Sequence, residues 1–215
     1  EPGSGDLDPG QIFNSNRFTL AAQIRALGMT VIDCGNLPDD PDQIGEALER
    51  AAAEADCIVT AGGVSVGEED HVKSQIEQRG ALDLWKLAIK PGKPLAFGHV
   101  AGTPIFGLPG NPVSAFITFA LVAKPWLIKR QGGRLVPALR FPVRAAFSIT
   151  RPGTREEFLR VRLTGSGKAL RAALTGSQSS GVMTSLSEAD GLAVIAPGTT
   201  VAEGDWVEVM PLSAL

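Results

Sequence analysis

"MTVIDCG" (29–35), "PDDPDQIGEALERAAAEAD" (38–56) and "CIVTAGG" (57–63) follow one another with almost nothing between them. The first is a short apolar run of strand type. In the second, Asp40 can cap a helix that has Pro41 at its first position, and Ile44, Ala47, Leu48, Ala51 and Ala55 fall on one helical face. The third is a near-continuous apolar strand that runs out into two glycines. Strand, helix of this length and strand is the sequence form of a βαβ unit, whose parallel strands are buried on both faces. The expected fold is therefore α/β, with a mainly parallel sheet.

Outward from this unit the same grammar continues in both directions. Upstream, Phe18, Ala21, Ala22, Ile24 and Leu27 suit one face of a helix, with Ser15 as its cap and Gly28 as its stop. Residues 1–10 are rich in Gly, Pro and Asp and read as a loop. Downstream come a helix at about 69–78, the run "LDLWKLAIKPGKPLAFGHV" (82–100), a strand at "PIFGL" (104–108) and a long apolar helix at 113–130, which Pro125 should end or kink.

After "QGGRLVP" (131–137), which reads as a linker, the pattern changes. "RFPVRAAFSI", "EFLRVRLTG", "KALRAALTG", "GLAVIAP" and "DWVEVMPL" are short segments between Gly, Ser and Pro turns, and Leu159, Val161 and Leu163 alternate with Arg160 and Arg162. Residues 1–133 thus read as an α/β domain and 138–215 as a small all-β, barrel-like module.

Composition narrows the function. With 215 residues, 44% of them hydrophobic, the chain can bury a real core, and a net charge of -3 offers no basic footprint for nucleic acid. Cys34 and Cys57 both sit in apolar, strand-like runs and read as buried free thiols, which suits a reducing, cytoplasmic setting. No apolar run approaches the ~18 residues of a membrane span, and the N-terminus has no signal-peptide pattern.

In an open parallel sheet, ligands bind beyond the carboxyl ends of the strands, so the loops there carry most weight. "TAGGVSVGEEDHVK" (60–73) leaves a strand through Gly62 and Gly63, whose bare backbone can approach an anion, with Ser65 adding a hydroxyl. Glu68, Glu69 and Asp70 could hold Mg²⁺, or could simply favour the first turn of a helix. In "LWKLAIKPGKP" alternation puts Lys86 and Lys90 on one face, with Lys93 beyond the turn; solvated edge lysines are the plainer account. In "GLPGNPVSAF" (107–116), Gly110, Asn111 and Pro112 prepare a helix N-terminus that would attract an anion, although a tight helix start explains the same residues. His99 has no partner at a metal-ligand spacing.

Together and in this order, these stretches resemble the motifs of the molybdopterin molybdenumtransferase family, the MoeA and gephyrin E-domain type. "WKLAIKPGKPLAFG" and "FGLPGNPVSAFITF" resemble it closely, as does the glycine loop, and "DPGQIFNSN" and "REEFLR" through "GSQSSG" fit its flanking positions. The resemblance implies a three-layer molybdopterin-binding domain followed by a small C-terminal β domain. It implies a Mg²⁺-dependent insertion of molybdate into adenylylated molybdopterin, with release of AMP. Asp70, with Glu68, would hold the metal; Lys86 and Lys90 would supply catalytic positive charge. Gly62, Gly63, Ser65, Lys93, Pro109, Gly110, Asn111, Pro112, Arg155, Arg160 and Ser180 would bind substrate. On alternation alone Arg160 is an exposed strand residue, so only the resemblance brings it to the site.

The resemblance further implies a homodimer, with the molybdopterin adenylyltransferase as a candidate partner. The family's α/β domain opens with a strand and a "STGDE"-like turn that this sequence does not contain, and its two N-terminal domains are absent. Weak or no turnover by this chain alone is the expectation. The alternatives are a non-catalytic pterin-binding or scaffold fragment and, third, a molybdopterin adenylyltransferase or related nucleotide-processing enzyme.

Overall fold

The structure, a computed structural model, describes residues 13–63 and 71–215. Helix α1 (Ser15–Ala26) is capped not by Ser15 but by the residue before it, since the Asn14 side chain accepts from the Arg17 amide. Its buried face is Leu20 and Ala21, while Phe18 lies 49% exposed. Helix α2 (Pro41–Glu54) begins as expected, with Asp40 accepting from the Gln43 amide at 2.9 Å and Pro41 at the first position. The strand β1 (Ile58–Ala61) and helix α3 (His71–Arg79) follow.

Strands β2 (Gly80–Lys86), β4 (Pro94–Val100) and β5 (Thr103–Leu108) join β1 in a sheet of order β1-β5-β4-β2. β1 and β5 are parallel, but β4 is antiparallel to both β5 and β2, so the sheet is mixed rather than mainly parallel. The cause is local. Ala101 and Gly102 both take positive φ (48° and 86°), the mirror-image turn that joins two strands as a hairpin and cannot support a crossover.

Alternation along the strands separates two layers of helix. Ile58, Val100 and Ile105 pack on Ile44 and Leu48 of α2 and Ile76 of α3. On the other face, Leu95, Phe106 and Leu108 meet Leu20 of α1 and the long helical run after β5. That run comprises α4 (Pro112–Thr118), a π segment at Phe119–Ala123 and α5 (Lys124–Arg130). Pro125 does not end it. The Lys124 amide bonds the Phe119 carbonyl five residues back, so the ladder has widened just before the proline, where an amide donor is missing. By length and a mean hydropathy of 1.3, Pro112–Arg130 would reach across a membrane, contrary to the sequence expectation, but 56% of its most apolar window is buried in protein. It is a core helix.

Residues 29–35 form no strand. A strand exists through its ladder, and among the described residues β1 is paired only with β5. Beside the other edge of β1 lies about 440 Å³ of space, walled by Ile24, Leu48 and Val59 and closed on the far side by residues 31–39. Ile32 is consequently 52% exposed, and Cys34 is exposed rather than buried. Cys57 at the start of β1 is half-buried, and both thiols are free.

All five β segments expected downstream of residue 138 are present: β6 (Phe141–Ala145), β7 (Glu156–Thr164), β8 (Arg171–Leu174), β9 (Gly191–Ile195) and β10 (Trp206–Pro211). They close in the order β7-β8-β6-β10-β9 and back to β7 around Val143, Val161, Ala172 and Val209. The short β3 (Ile89–Lys90) adds to the outside of this barrel, parallel to β7. A shared apolar cluster of Val113, Ile117, Phe158, Leu192 and Met210 joins the barrel to α4. A short helix α6 (Thr184–Ser187) lies between β8 and β9.

Candidate functional site

β2 runs the same way as β1 and β5, because two antiparallel steps separate it from β5. The carboxyl ends of β1, β5 and β2 therefore open at one edge of the sheet, where β4 begins at Pro94 opposite Lys86. The three loops that the sequence singles out all leave from this edge.

Two of them touch. The Gly62 amide bonds the Leu108 carbonyl at 3.0 Å, and a Cβ placed on Gly110 would stand 3.6 Å from the Gly62 Cα. Gly62 and Gly63 both have positive φ (91° and 66°), a conformation that suits a residue without Cβ. Asn16 of α1 donates to the Gly110 carbonyl at 2.6 Å and ties this junction to the first helix. Ser65, Glu68, Glu69 and Asp70 lie outside the described residues. Among the described residues no cluster of three or more His, Cys, Asp or Glu could hold a metal ion.

At the start of α4, Pro109 and Pro112 are buried while Gly110 and Asn111 are exposed. Asn111 occupies the cap position in extended backbone, but its side chain makes no capping bond; it donates instead to Ser180 Oγ at 3.1 Å. The capping acceptor comes from the barrel, since the Val113 amide donates to the Ser180 carbonyl at 3.0 Å. Pro112 has no amide proton to satisfy, so the barrel fills the first donor the helix offers.

The lysines stand on the β2 side. Lys86, Lys90 and Lys93 are all exposed, and three strand spacings put the Lys86 backbone ~14 Å from that of β1. Lys90 is not idle: its Nζ lies 3.2 Å from Glu157 Oε2 of β7. The Lys93 carbonyl accepts from the Leu87 amide at 2.9 Å, joining the end of β2 to the start of β4 around the loop that carries β3 and Lys90. Arg155 is half-buried and donates to the Ile89 carbonyl at 2.9 Å, holding β3 against the barrel.

Arg160 is the opposite of an exposed strand residue, with only 1% of its surface exposed. Its Nε donates to Ser185 Oγ at 3.2 Å and its Nη2 to the carbonyls of Ser177 and Ser179, each at 3.1 Å. Burial lowers its pKa. Alternation correctly puts it on the outside of the barrel, but the segment 175–187 folds over it. Sequence reasoning gave no role to Asn16, Gln178 or Glu157. Asn16 and Gln178 stand inside "DPGQIFNSN" and "GSQSSG", so proximity to a motif was the available signal; Glu157, within "REEFLR", is visible only as a partner of Lys90.

Comparison with known proteins agrees with this architecture. Residues 3–129 match the family described as "Probable molybdopterin binding domain", and residues 142–212 match "MoeA C-terminal region (domain IV)". A Haemophilus influenzae protein named molybdopterin molybdenumtransferase is 47% identical over 126 residues, 59% of this chain and 31% of its own length. One of the same name from Nostoc is 33% identical over 216 residues, covering 96% of this chain and 49% of that protein. The solved structure of a molybdopterin biosynthesis MoeA protein from Pyrococcus horikosii superposes with a TM-score of 0.80 at 32% identity, over 98% of this chain and 51% of that one. The chain spans about half, or less, of the length of the relatives it matches. On the fold, the site and these matches, it belongs to the molybdopterin-binding family of MoeA type.

Proposed function

We propose that this protein works in molybdenum cofactor biosynthesis, inserting molybdate into adenylylated molybdopterin and releasing AMP. The observation that carries this reading is the junction of the glycine loop and the helix-start loop at Gly62 and Gly110, on the same sheet edge as Lys86, from which the loop carrying Lys90 departs. One loop would cradle the phosphate of the pterin nucleotide through the bare backbone of Gly62 and Gly63, with Ser65 beside it. Pro109, Gly110, Asn111 and Pro112 would shape the neighbouring subsite for the tetrahedral oxyanion, to which Asn111 and Ser180 offer neutral donors.

Lys86 and Lys90 would stabilise the charge that grows as AMP departs. Preorganised cations of this kind act more strongly when the substrate excludes water. Lys93 would add a third, looser charge. Lys90 would then exchange Glu157 for substrate, while Arg155 keeps its strand in place. Mg²⁺ is assigned by the chemistry of the loop alone: Asp70 and Glu68 are hard oxygen donors suited to it, and it would neutralise phosphate charge. A homodimer, a cytoplasmic setting and handover from the molybdopterin adenylyltransferase complete the proposal.

Calorimetric titration with molybdate, with and without Mg²⁺ and AMP, tests it. Saturable binding is expected, weakened at least about tenfold in the double variant Lys86→Ala, Lys90→Ala, as fits the loss of charged partners. Equal binding by wild type and variant would remove the lysines from the site. Absence of binding by the folded chain would leave the scaffold reading in its place.

A further inference from the structure

Among the described residues, Arg160 is a buried cation that meets no carboxylate. Its partners are one hydroxyl and two backbone carbonyls, all from the stretch 177–185. Taking a cation out of water is costly, so packing alone gives no reason for it here. Gln178 grips the same strand position from the other side. Its Oε1 accepts from the Arg160 amide at 3.0 Å, and its Nε2 donates to the Arg160 carbonyl at 2.9 Å and to Thr175. The Thr175 amide donates to that same Arg160 carbonyl at 3.0 Å.

Both the backbone and the side chain of one residue in β7 are thus used to hold one loop. The next residue along that loop, Ser180, is the one that caps α4 through its carbonyl and meets Asn111 through its hydroxyl. Ser180 itself makes no contact with Arg160 among these bonds, so the two are linked only through the path of the chain.

We propose that Arg160 and Gln178 form a clamp that fixes Ser180 at the start of α4, and that through this clamp Arg160 acts on the site as a positioning residue. This deepens the proposed function and rests on its placement of the oxyanion beside Asn111 and Ser180. The clamp makes the barrel a working part of the site: it delivers one hydroxyl and one carbonyl to a helix of the other domain. Three of the five N–H donors of its guanidinium are used on the loop.

Two readouts on the chain as it stands decide this separately from the function. Amide exchange of Val113, whose proton is held by the Ser180 carbonyl, should quicken about tenfold in Gln178→Ala and in Arg160→Met, while barrel amides such as Val209 stay slow. Gln178→Ala is the safeguard if the buried substitution at Arg160 does not fold. Unchanged Val113 exchange in Gln178→Ala overturns the clamp, whatever molybdate does. Molybdate affinity then tests the positioning role through a double-mutant cycle with Ser180→Ala. Losses from Gln178→Ala and Ser180→Ala that fail to add mean that the clamp acts through Ser180. Fully additive losses, or an Arg160→Lys variant that binds normally while Val113 exchanges freely, overturn it. If the wild type binds no molybdate, the proposed function falls and the exchange result still stands.

Discussion

The barrel and the sheet solve the same problem differently. Each of the five barrel strands finds two neighbours, so the ladder closes and leaves no edge among them. In the sheet, among the described residues, β1 has a neighbour on one side and about 440 Å³ of space on the other, and the apolar stretch 29–35 lies beyond that space without a ladder. A strand-like sequence becomes a strand only when a backbone partner is within reach. Hydrophobic pattern sets which residues are buried; it does not supply the partner.

The largest expected effect asks how far the openness at β1 extends inward. Phe106 is 1% exposed in β5, next to β1, and its ring meets Phe97 at 4.7 Å and Trp126 at 5.4 Å. If the sheet interior is as tightly packed as these contacts indicate, Phe106→Ala should cost about 3–5 kcal/mol in denaturant titration, the range for emptying a rigid aromatic site. A loss below about 2 kcal/mol would mean that the neighbours collapse into the space and that the soft region includes the middle of the sheet.

A smaller effect contrasts the two walls of the cavity. Cys34 is exposed on the wall without a ladder, and Cys57 is half-buried at the foot of β1. Burial pushes the Cys57 thiol from 9.0 up to about 12, with Arg130 opposing and Asp56 adding to the rise. At pH 8 its thiolate population is then about a thousandfold below that of an ordinary thiol, so iodoacetamide should modify Cys34 first and Cys57 only on unfolding. The same rise makes stability depend on pH. Above pH 9 the unfolded chain gives up a proton that the folded chain keeps, so the contribution is whole below 9 and is lost as pH climbs towards 12. Equal reactivity of the two thiols would show that the open side reaches the foot of β1.

Most of the fold was legible because most of it is local. Asp40 and Pro41 announce α2, and the alternation of Leu159, Val161 and Leu163 announces β7 with its core face. What escaped depends on residues far apart in the chain. The acceptor that caps α4 belongs to Ser180, and the Asn111 to Ser180 bond spans 69 residues. Arg160 follows the alternation to the letter, yet is buried because a distant loop covers the outer face. The mixed sheet turned on Ala101-Gly102, a hairpin signal weaker than the usual Asn-Gly. Of the candidate site, residue types and the order of the loops were readable; the touching of Gly62 and Gly110 and the pairing of Lys90 with Glu157 were not.

The smallest effect bears on what holds residues 29–35 in place without a ladder. Asp33 receives the Arg17 Nε at 2.8 Å, and this bond, followed by one from the Gly35 amide, keeps its carboxyl below the usual carboxylate range. The pair lies between α1 and the unladdered stretch, with side chains 27% and 34% exposed, so solvent screens it. Asp33→Asn should therefore cost only about 0.2–1 kcal/mol at pH 7, as exposed ion pairs do. Because the folded pKa is the depressed one, that contribution is present above the ordinary aspartate value and vanishes as pH falls through the lowered one, so mutant and wild type should converge in acid. A loss above about 2 kcal/mol would exceed what a screened pair supplies, and would mean that residues 29–35 are anchored as firmly as a strand.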